Sequence, residues 1–326
     1  MFAIKYRKIF LSIAAVLMGG SLLLILLLPP KVGIDFAGGS LTEVAYSDTV
    51  PTEEEVESVV EALDLGGFSI QASLDESGRD SYLIRTRDLS EAERVDVAEA
   101  VTSLSDGSEV TRFTSIGPVM GKELRDKAMW AIAGVVLIII LYIAFAFAGI
   151  GKPVSSWVYG GITILVLIHD VLVPTALMSI LGYLSGVEMD VLFVMALLAV
   201  LGYSVNDTIV IFDRVRENLI KNRTERRVKR NEVGVVREEV EYTITKPFDD
   251  IVGNAVSQSI ARSINTSLTT LLALFALYLI GGDVTETFAL VLIAGVLAGT
   301  YSSICIASPL LITYSKYKES KNNPNN

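Results

Sequence analysis

Ionisable residues interrupt the long apolar segments of this sequence at three places. His169-Asp170 and Asn206-Asp207 lie inside two of these segments, and Arg262 lies at the start of a third. A charged side chain at bilayer depth costs at least ~2.5–3.5 kcal/mol, and such residues face the bundle interior, pair with one another and mark ion or proton paths. The chemistry open to these residue types is therefore reversible proton binding by a carboxylate beside a positive charge.

Other kinds of chemistry have little support in the sequence. An intramembrane aspartyl protease needs two carboxylates that share one proton. At 1.5 Å per residue, however, Asp170 is predicted half-way across the membrane and Asp207 in its cytoplasmic third. Arg262 is predicted at the depth of Asp207, so the two can meet, and Arg262 would keep Asp207 ionised. With no serine, cysteine or metal-ligand cluster and no phosphate-binding glycine loop, we expect a chain that is not an enzyme and uses no cofactor, metal ion or ATP.

The elements that must position these residues are six apolar segments long enough to cross a membrane. Of the 326 residues, 51% are hydrophobic and the mean hydropathy is +0.52, whereas soluble domains are hydrophilic on average. About 20 apolar residues in a helix span a ~30 Å hydrocarbon core. The predicted transmembrane helices are residues 9–28, 128–148, 157–181, 189–211, 264–280 and 288–312.

The distribution of charge predicts how the chain is oriented. The net charge is −10, but residues 31–127 alone carry 21 acidic and 9 basic side chains, a net charge of −12, which leaves +2 elsewhere. Lysine and arginine near membrane ends stay cytoplasmic. They cluster in residues 1–8, at Lys152, in residues 214–250 and in the tail 313–326. A multi-pass protein of the cytoplasmic (inner) membrane with both termini cytoplasmic and residues 31–127 outside is therefore predicted.

The first apolar segment follows Lys5, Arg7 and Lys8 and so resembles a signal peptide. About 20 apolar residues is long for such a peptide, and the sequence after it lacks a small-x-small cleavage site. We interpret it as a retained anchor.

Residues 31–127 are predicted to form a small α+β domain. Strands are expected at 41–46, 68–74, 82–87 and within 109–116 because of their β-branched and aromatic content. Helices are expected after Thr52 and Ser90, each followed by early acidic residues. The order β-α-β-β-α-β is that of a ferredoxin-like domain. The predicted fold is thus a polytopic α-helical membrane protein with six transmembrane helices and an extracytoplasmic ferredoxin-like domain between helices one and two.

Residues 214–250 are expected to form a charged cytoplasmic loop, richest in basic side chains from Lys221 to Arg230. The plain interpretation is a solvated loop that also fixes orientation, and the alternative is contact with anionic lipid or an acidic partner. No aromatic residues interleave with these charges, so binding of nucleic acid is not expected. Small residues at Gly160-Gly161, Gly182, Gly202, Gly295 and Gly299 are predicted to pack between helices.

Four segments together resemble one family. In chain order they read DFAGG at 35–39, SIGPVMGKEL at 115–124, GYSVNDTIVIFDRVREN at 202–218 and RSINTSLTTL at 262–271. With six predicted spans and one domain after the first, nearly the whole chain is similar to SecF, a subunit of the SecDF protein-export complex. The structural positions of the first two motifs are Asp35, Phe36, Gly38, Gly39, Gly117, Pro118 and Gly121.

The resemblance implies a fold related to resistance-nodulation-division transporters and a paired SecD-like subunit. It also implies a place beside the SecYEG channel, where the proton-motive force helps to draw an unfolded protein chain across the membrane. YajC-like or YidC-like membrane proteins are further candidate partners, and sodium coupling is an alternative to protons. By the same resemblance, Asp207 is the proton-relay aspartate and Arg262 the arginine that acts with it, while His169, Asp170 and Asn206 serve as relay or structural support.

Purely structural roles for these residues, and other functions for the chain, are alternatives to this hypothesis. Asp207 with Arg262 could be a neutralising contact between helices, and His169 with Asp170 a satisfied interhelical hydrogen bond. For the whole chain, the alternatives are a half-size proton-coupled exporter of a small molecule or lipid from the same superfamily, and a membrane assembly scaffold without coupling.

Overall fold

The computed structural model describes residues 2–75, 77–147, 154–232 and 235–322. The helices are α1 (Phe2–Lys5), α2 (Arg7–Leu27), α3 (Ile34–Ala37), α4 (Glu53–Glu61), α5 (Glu91–Thr102), α6 (Pro118–Ala146), α7 (Ser156–Ser185), α8 (Val191–Lys221), α9 (Phe248–Ile280), α10 (Asp283–Ser302) and α11 (Ser308–Asn322). The strands are β1 (Gly39–Tyr46), β2 (Ser69–Leu74), β3 (Asp80–Thr86), β4 (Ser108–Ile116), β5 (Arg223–Glu232) and β6 (Val235–Ile244). Ala148, Lys152 and the last four residues of the predicted tail lie outside the described residues.

Six helices are long and apolar enough to cross a membrane, as the sequence predicts. They are α2, α6, α7, α8, α9 and a sixth in which α10 and α11 are joined by a π-helix, Ser303–Ala307. Most are longer than the predicted spans: α6 begins at Pro118, and α9 begins at Phe248. The segments 118–127 and 248–263 are thus helical extensions of spans two and five. The positions at which these helices enter and leave the membrane stay predictions.

The segment between α3 and α6 forms the predicted ferredoxin-like domain, here called the sheet domain (residues 39–116). Its four strands are all antiparallel and lie in the order β2-β3-β1-β4, with α4 and α5 on one face. Both helices begin with a capping box, Thr52 with Glu55 and Ser90 with Glu93, which satisfies N–H groups that have no partner within the helix. Because side chains alternate along a strand, the residues between those of the core face the opposite side of the sheet.

The segment 214–250 is not the loop that the sequence predicts. Residues 214–221 continue α8, β5 and β6 pair as an antiparallel hairpin, and α9 begins at Phe248. The physical reason is that α8 keeps its helical hydrophobic pattern past the membrane: Val215 and Leu219 are buried in the same core as Phe212. The charged residues between them occupy the other faces of the same helix.

The bundle is organised around α8, which packs against α6, α7, α9 and α10. Its packing with α10 is close because α10 carries glycine where the two helices meet. A Cβ at Gly295 would collide with the side chain of Val200, and one at Gly299 would lie 2.9 Å from the Cβ of Ser204. The predicted packing of these two glycines between helices is therefore confirmed. Gly182 makes a close approach of another kind: a Cβ there would lie 3.0 Å from the carbonyl oxygen of Val187, in the connection that follows α7.

Candidate site in the helix bundle

Helix α8 carries two polar stripes that face different neighbours. Residues four apart lie on one face of a helix, so Tyr203 and Asp207 form one stripe and Ser204 and Thr208 the other. The first contacts α9, where the Tyr203 hydroxyl donates a hydrogen bond of 3.1 Å to Ser267. The second contacts α7 and the sixth helix. Polar side chains of both stripes are satisfied between helices, as the apolar surroundings require.

Asp207 is 5% exposed and lies where α8 meets α9. Its Oδ2 accepts a hydrogen bond of 2.5 Å from the hydroxyl of Ser263. Within the described residues, no lysine or arginine forms an ion pair with this carboxylate within 4.0 Å. A buried carboxylate held by one hydroxyl is poorly compensated as an anion, so it is a group whose protonation state can respond to its surroundings.

Arg262 does not meet Asp207 directly, contrary to the expectation from the sequence. It is adjacent to Ser263 on α9, and neighbours on a helix point about 100° apart; Ser263 faces Asp207, whereas Arg262 is exposed on the surface of the chain. The positive charge of Arg262 nevertheless lies near enough to act electrostatically on Asp207. Arg262 therefore stands beside the carboxylate and faces away from this chain.

His169 and Asp170 are wholly buried where α7, α8 and the sixth helix meet. The Asp170 Oδ1 lies 2.8 Å from the His169 Nδ1, and its Oδ2 accepts hydrogen bonds from the hydroxyls of Ser204 and, at 2.8 Å, Ser302. One carboxylate thus joins three helices. Ser302 immediately precedes the π-helix, a helical irregularity that is frequent at functional sites.

The structure also corrects the predicted depths of the two carboxylates. Ser204, which contacts Asp170, is three residues from Asp207 on α8, a rise of about 4.5 Å. Asp170 and Asp207 are therefore separated by about one helical turn along α8 and not by a third of the membrane. The prediction counted the depth of each residue from the start of its own span, whereas the contacts between helices determine the relative depth of residues on different helices.

Several residues of this site were not found from the sequence. Ser263 holds Asp207, Ser302 and Ser204 hold Asp170, and Thr208 lies 2.9 Å from Ser303, oxygen to oxygen. Single hydroxyls are common in membrane helices, so none stands out as a charged residue does. Two signals could have identified them: Ser204, Thr208 and Ser263 lie within the motifs at 202–218 and 262–271, and Ser302-Ser303 is a polar pair within an otherwise apolar stretch.

One face of α8 has no partner within the described chain. Gly202 and Asn206 are exposed, four residues apart, and a Cβ at Gly202 would have no atom within 4 Å. A Cβ at Gly160 or Gly161 of α7 would also have no atom within 4 Å, although Gly160 is buried and only Gly161 is exposed. None of these three glycines makes a close contact with another helix among the described residues, so their role in helix packing stays a prediction.

The first two sequence motifs pack against each other at the base of the sheet domain. Phe36 is buried in α3, Gly117 caps α6, and Pro118 is the first residue of that helix. A Cβ at Gly121 would lie 2.8 Å from the backbone nitrogen of Gly38, which itself has a φ of +78°. Gly39 has a φ of +133°, and a Cβ there would lie 2.6 Å from the Thr86 carbonyl oxygen. Glycine is required here by close approach of two backbones.

The segment before the sheet domain is joined to the start of α8. Gly33 donates a hydrogen bond of 2.9 Å to the carbonyl of Met189, and Met189 donates one of 2.8 Å to that of Lys31. The carboxylate of Asp35 accepts a hydrogen bond of 2.9 Å from the N–H of Val191, the first residue of α8. A carboxylate at a helix N-terminus is favoured by the unpaired N–H groups and by the helix dipole.

The open face of the sheet lies against the same loop. Arg85 of β3 forms an ion pair of 2.9 Å with Glu188, and Gln71 of β2 donates a hydrogen bond of 2.5 Å to the carbonyl of Ser185. These groups line a cavity of about 350 Å³ together with Arg112 and other residues. Burial raises the pKa of Glu188 above its ordinary value of 4.5, although Arg85 partly opposes the shift. Within the described residues, no three or more His, Cys, Asp or Glu side chains are grouped so as to hold a metal ion.

Comparison with known proteins gives a consistent result over most of the chain. The family model described as "Protein export membrane protein SecD/SecF, C-terminal" matches residues 96–235 and 233–317. The protein translocase subunit SecF of Thermobaculum terrenum is 34% identical over 291 residues, which are 86% of this chain and 83% of the relative. The corresponding subunit of Anaerolinea thermophila is 35% identical over 281 residues, 85% of this chain and 82% of the relative.

A solved structure has the same architecture. The crystal structure of SecDF from Thermus thermophilus, described as a translocon-associated membrane protein, matches 96% of this chain with a TM-score of 0.75 at 28% identity. This chain covers 38% of that longer protein. The likeness extends from the sheet domain through the six helices.

Proposed function

This chain belongs to the SecF family of protein translocase subunits, and from that premise we propose that it acts with a SecD subunit to assist protein translocation through the SecYEG channel, driven by the proton-motive force. The proposed place of action is the cytoplasmic membrane, with both termini in the cytoplasm and the sheet domain outside. The unequal distribution of lysine and arginine supports this orientation.

The observation that carries the proposal is the burial of the Asp207 carboxylate and the small number of its hydrogen-bond donors among the described residues. Its buried carboxylate has a serine hydroxyl as its hydrogen-bond donor, with the positive charge of Arg262 nearby. When the carboxylate is ionised, it attracts both groups; when it binds a proton, the attraction to Arg262 is lost. Proton binding thereby weakens the electrostatic link between α8 and α9 and allows them to shift. One charge that crosses 100 mV contributes about 2.3 kcal/mol, which is enough to bias such an equilibrium.

The path from Asp207 to the sheet domain runs along α8. Asp207 lies sixteen residues after Val191, a distance of about 24 Å along the helix. At Val191 the helix is hydrogen-bonded to Asp35, which directly precedes the sheet domain. A displacement of α8 is thereby passed to the domain that would contact the translocating protein chain.

The uncovered face of α8 and α9 supports a SecD partner. Polar groups in a membrane helix avoid lipid and face protein. Asn206 and, on α9, Arg262, Asn265 and Thr269 are all exposed on this chain. The SecDF relative, in which a single longer chain includes the region matched here, supports the same assignment. A SecD subunit packed on this face would enclose Arg262 and complete the proton path.

The test compares two aspartate variants of the same helix. The full chain is reconstituted with SecD and SecYEG in liposomes, and import of a secretory precursor is followed with and without a proton gradient. Asp207→Asn should lose the increase that the gradient produces. Asp213→Asn, six residues further along α8 and exposed, should keep it. Normal stimulation in Asp207→Asn with intact SecD binding would refute the proposal.

A further inference from the structure

The buried pair His169-Asp170 is not used by the function proposed above. Both side chains are wholly buried, and within the described residues no lysine or arginine forms an ion pair with Asp170. The hydrogen-bond donors to its carboxylate are the hydroxyls of Ser204 and Ser302, and the remaining contact is the imidazole of His169. An ionised Asp170 beside a neutral His169 would therefore leave a negative charge in the bundle with no positive partner.

The imidazole has an unoccupied position for a proton. While Nδ1 contacts Asp170, the opposite nitrogen, Nε2, is buried and has no hydrogen-bond partner among the described residues. A buried polar atom without a partner is uncommon and calls for an explanation. A proton at Nε2 would convert the ring to an imidazolium and make the pair electrically neutral.

Apart from His169, the described groups around Asp170 do not supply the positive charge that would neutralise it. From the sixth helix, Tyr301 lies with its ring centroid 6.0 Å from that of His169, and its hydroxyl already donates to the carbonyl of Phe10 on α2. Cys305 follows one turn later, in the π-helix, and Asp207 on α8 faces α9 and not α7. None of these supplies a positive charge to Asp170.

The hydroxyl of Ser302 is placed to respond to the charge of the pair. It lies 2.8 Å from the Asp170 Oδ2 and 3.1 Å from the carbonyl oxygen of Gly299, and it has one hydrogen to donate. Its bond to Asp170 is strongest when the carboxylate has no imidazolium beside it, because hydrogen bonds to an uncompensated charge are the stronger ones. Neutralising the pair would favour the bond to Gly299, within the sixth helix.

We propose that His169 and Asp170 form a second proton-binding site, separate from Asp207, whose occupancy controls how the sixth helix is held to α7 and α8. Proton binding at the His169 Nε2 forms an imidazolium–carboxylate pair and releases Ser302 from Asp170. The π-helix that begins at Ser303 is the part of the sixth helix that can adjust to this change. The inference does not rest on the proposed coupling to translocation, and its test requires neither SecD nor SecYEG.

The test uses the fact that His169 is the sole histidine of the chain. The full chain is labelled with ¹⁵N-histidine, purified in lipid nanodiscs, and followed by NMR from pH 9 to pH 5. In the unaltered sequence the resonance of the bare Nε2 should disappear as the pH falls and be replaced by that of a protonated nitrogen. In Asp170→Asn this change should be absent over the same range, since the imidazolium has lost its counter-charge.

Two further outcomes separate this site from Asp207. Asp207→Asn should leave the change at His169 in place, and Asp213→Asn serves as the matched exposed control. A single unchanging histidine signal in the unaltered sequence would overturn the proposal. So would a normal response in Asp170→Asn, or loss of the response in Asp207→Asn.

Discussion

The carboxylate of Asp35 accepts a hydrogen bond of 2.9 Å from the backbone N–H of Val191, which joins the segment before the sheet domain to the first residue of α8. Asp190 caps the same helix from within, because its Oδ1 accepts a hydrogen bond of 2.8 Å from the N–H of Phe193. Two aspartates thus accept hydrogen bonds from the first turn of α8, the helix that carries Asp207. Asp190 is the N-cap residue of α8, and Asp35 belongs to the segment before the sheet domain.

These two caps offer a matched pair of variants. Asp35→Ala and Asp190→Ala each remove one bond to an unpaired N–H, so each should reduce stability by about 1 kcal/mol. Only Asp35 connects α8 to the sheet domain. We therefore expect Asp35→Ala to lower gradient-driven translocation by more than Asp190→Ala, when both are compared at equal amounts of folded protein. Equal translocation by the two variants would show that the link does not transmit movement.

The contact between Gly38 and Gly121 predicts the effect of one added methyl group. In Gly121→Ala the new Cβ would lie 2.8 Å from a backbone nitrogen that cannot rotate away. Overpacking of this kind costs typically 1–3 kcal/mol. Gly134→Ala, in the same helix, has no atom within 4 Å and should change stability by less than about 1 kcal/mol. Thermal unfolding in detergent measures both; equal melting temperatures would contradict the close approach.

The burial of Glu188 beside Arg85 predicts how docking of the sheet domain depends on pH. Burial raises the pKa of Glu188 in the docked state above its ordinary value of 4.5, so the docked state binds the proton more tightly than the undocked state. Docking should therefore strengthen as the pH falls from neutral through this raised pKa towards 4.5, and the gain should be absent above it.

Hydrogen exchange at the Met189 amide, which is bonded to Lys31, reports this docking once the intrinsic effect of pH is subtracted. Protection should increase as the pH falls, and Glu188→Gln should show a smaller increase. Glu123→Gln, on α6 and outside the cavity, should behave as the unaltered chain. If Glu188→Gln keeps the full pH response, Glu188 is not the group that titrates.

The open position at Gly202 predicts a variant that separates folding from assembly. Gly202→Leu adds a side chain where this chain has no atom within 4 Å, so the chain should fold normally. The same substitution at Gly295 would collide with Val200 and should destabilise the bundle itself. If SecD packs on the Gly202 face, Gly202→Leu should reduce its co-purification several-fold while the melting temperature of the isolated chain is unchanged. Undiminished co-purification would place the SecD contact elsewhere.

A cross-linking experiment locates the same contact directly. A photoreactive residue in place of Asn206 or Asn265, both exposed on the proposed face, should form a covalent product with SecD. The same residue in place of Ile138, exposed on the apolar surface of α6, should not. A product from Ile138 alone would assign SecD to α6.

Much of the fold could be predicted because it depends on local properties of the chain. Length and apolarity mark the six long helices, and the residue types at Thr52 and Ser90 mark the starts of α4 and α5. The order of strands and helices was enough to predict the ferredoxin-like domain. The continuation of α8 beyond residue 213 was missed because charged residues obscured a helical pattern that persists in Val215 and Leu219.

The sequence by itself determined which residues are costly to bury: Asp207, Asp170 and His169 stand out against apolar neighbours whatever the fold. Only the tertiary structure decided what each of them contacts. Asp207 lies against Ser263 and not Arg262, and Asp170 joins Ser204 to Ser302, about one turn from Asp207. The physical reason is that helical periodicity fixes where a side chain lies around its own axis. The rotation and height of the neighbouring helix are set by packing along its whole length.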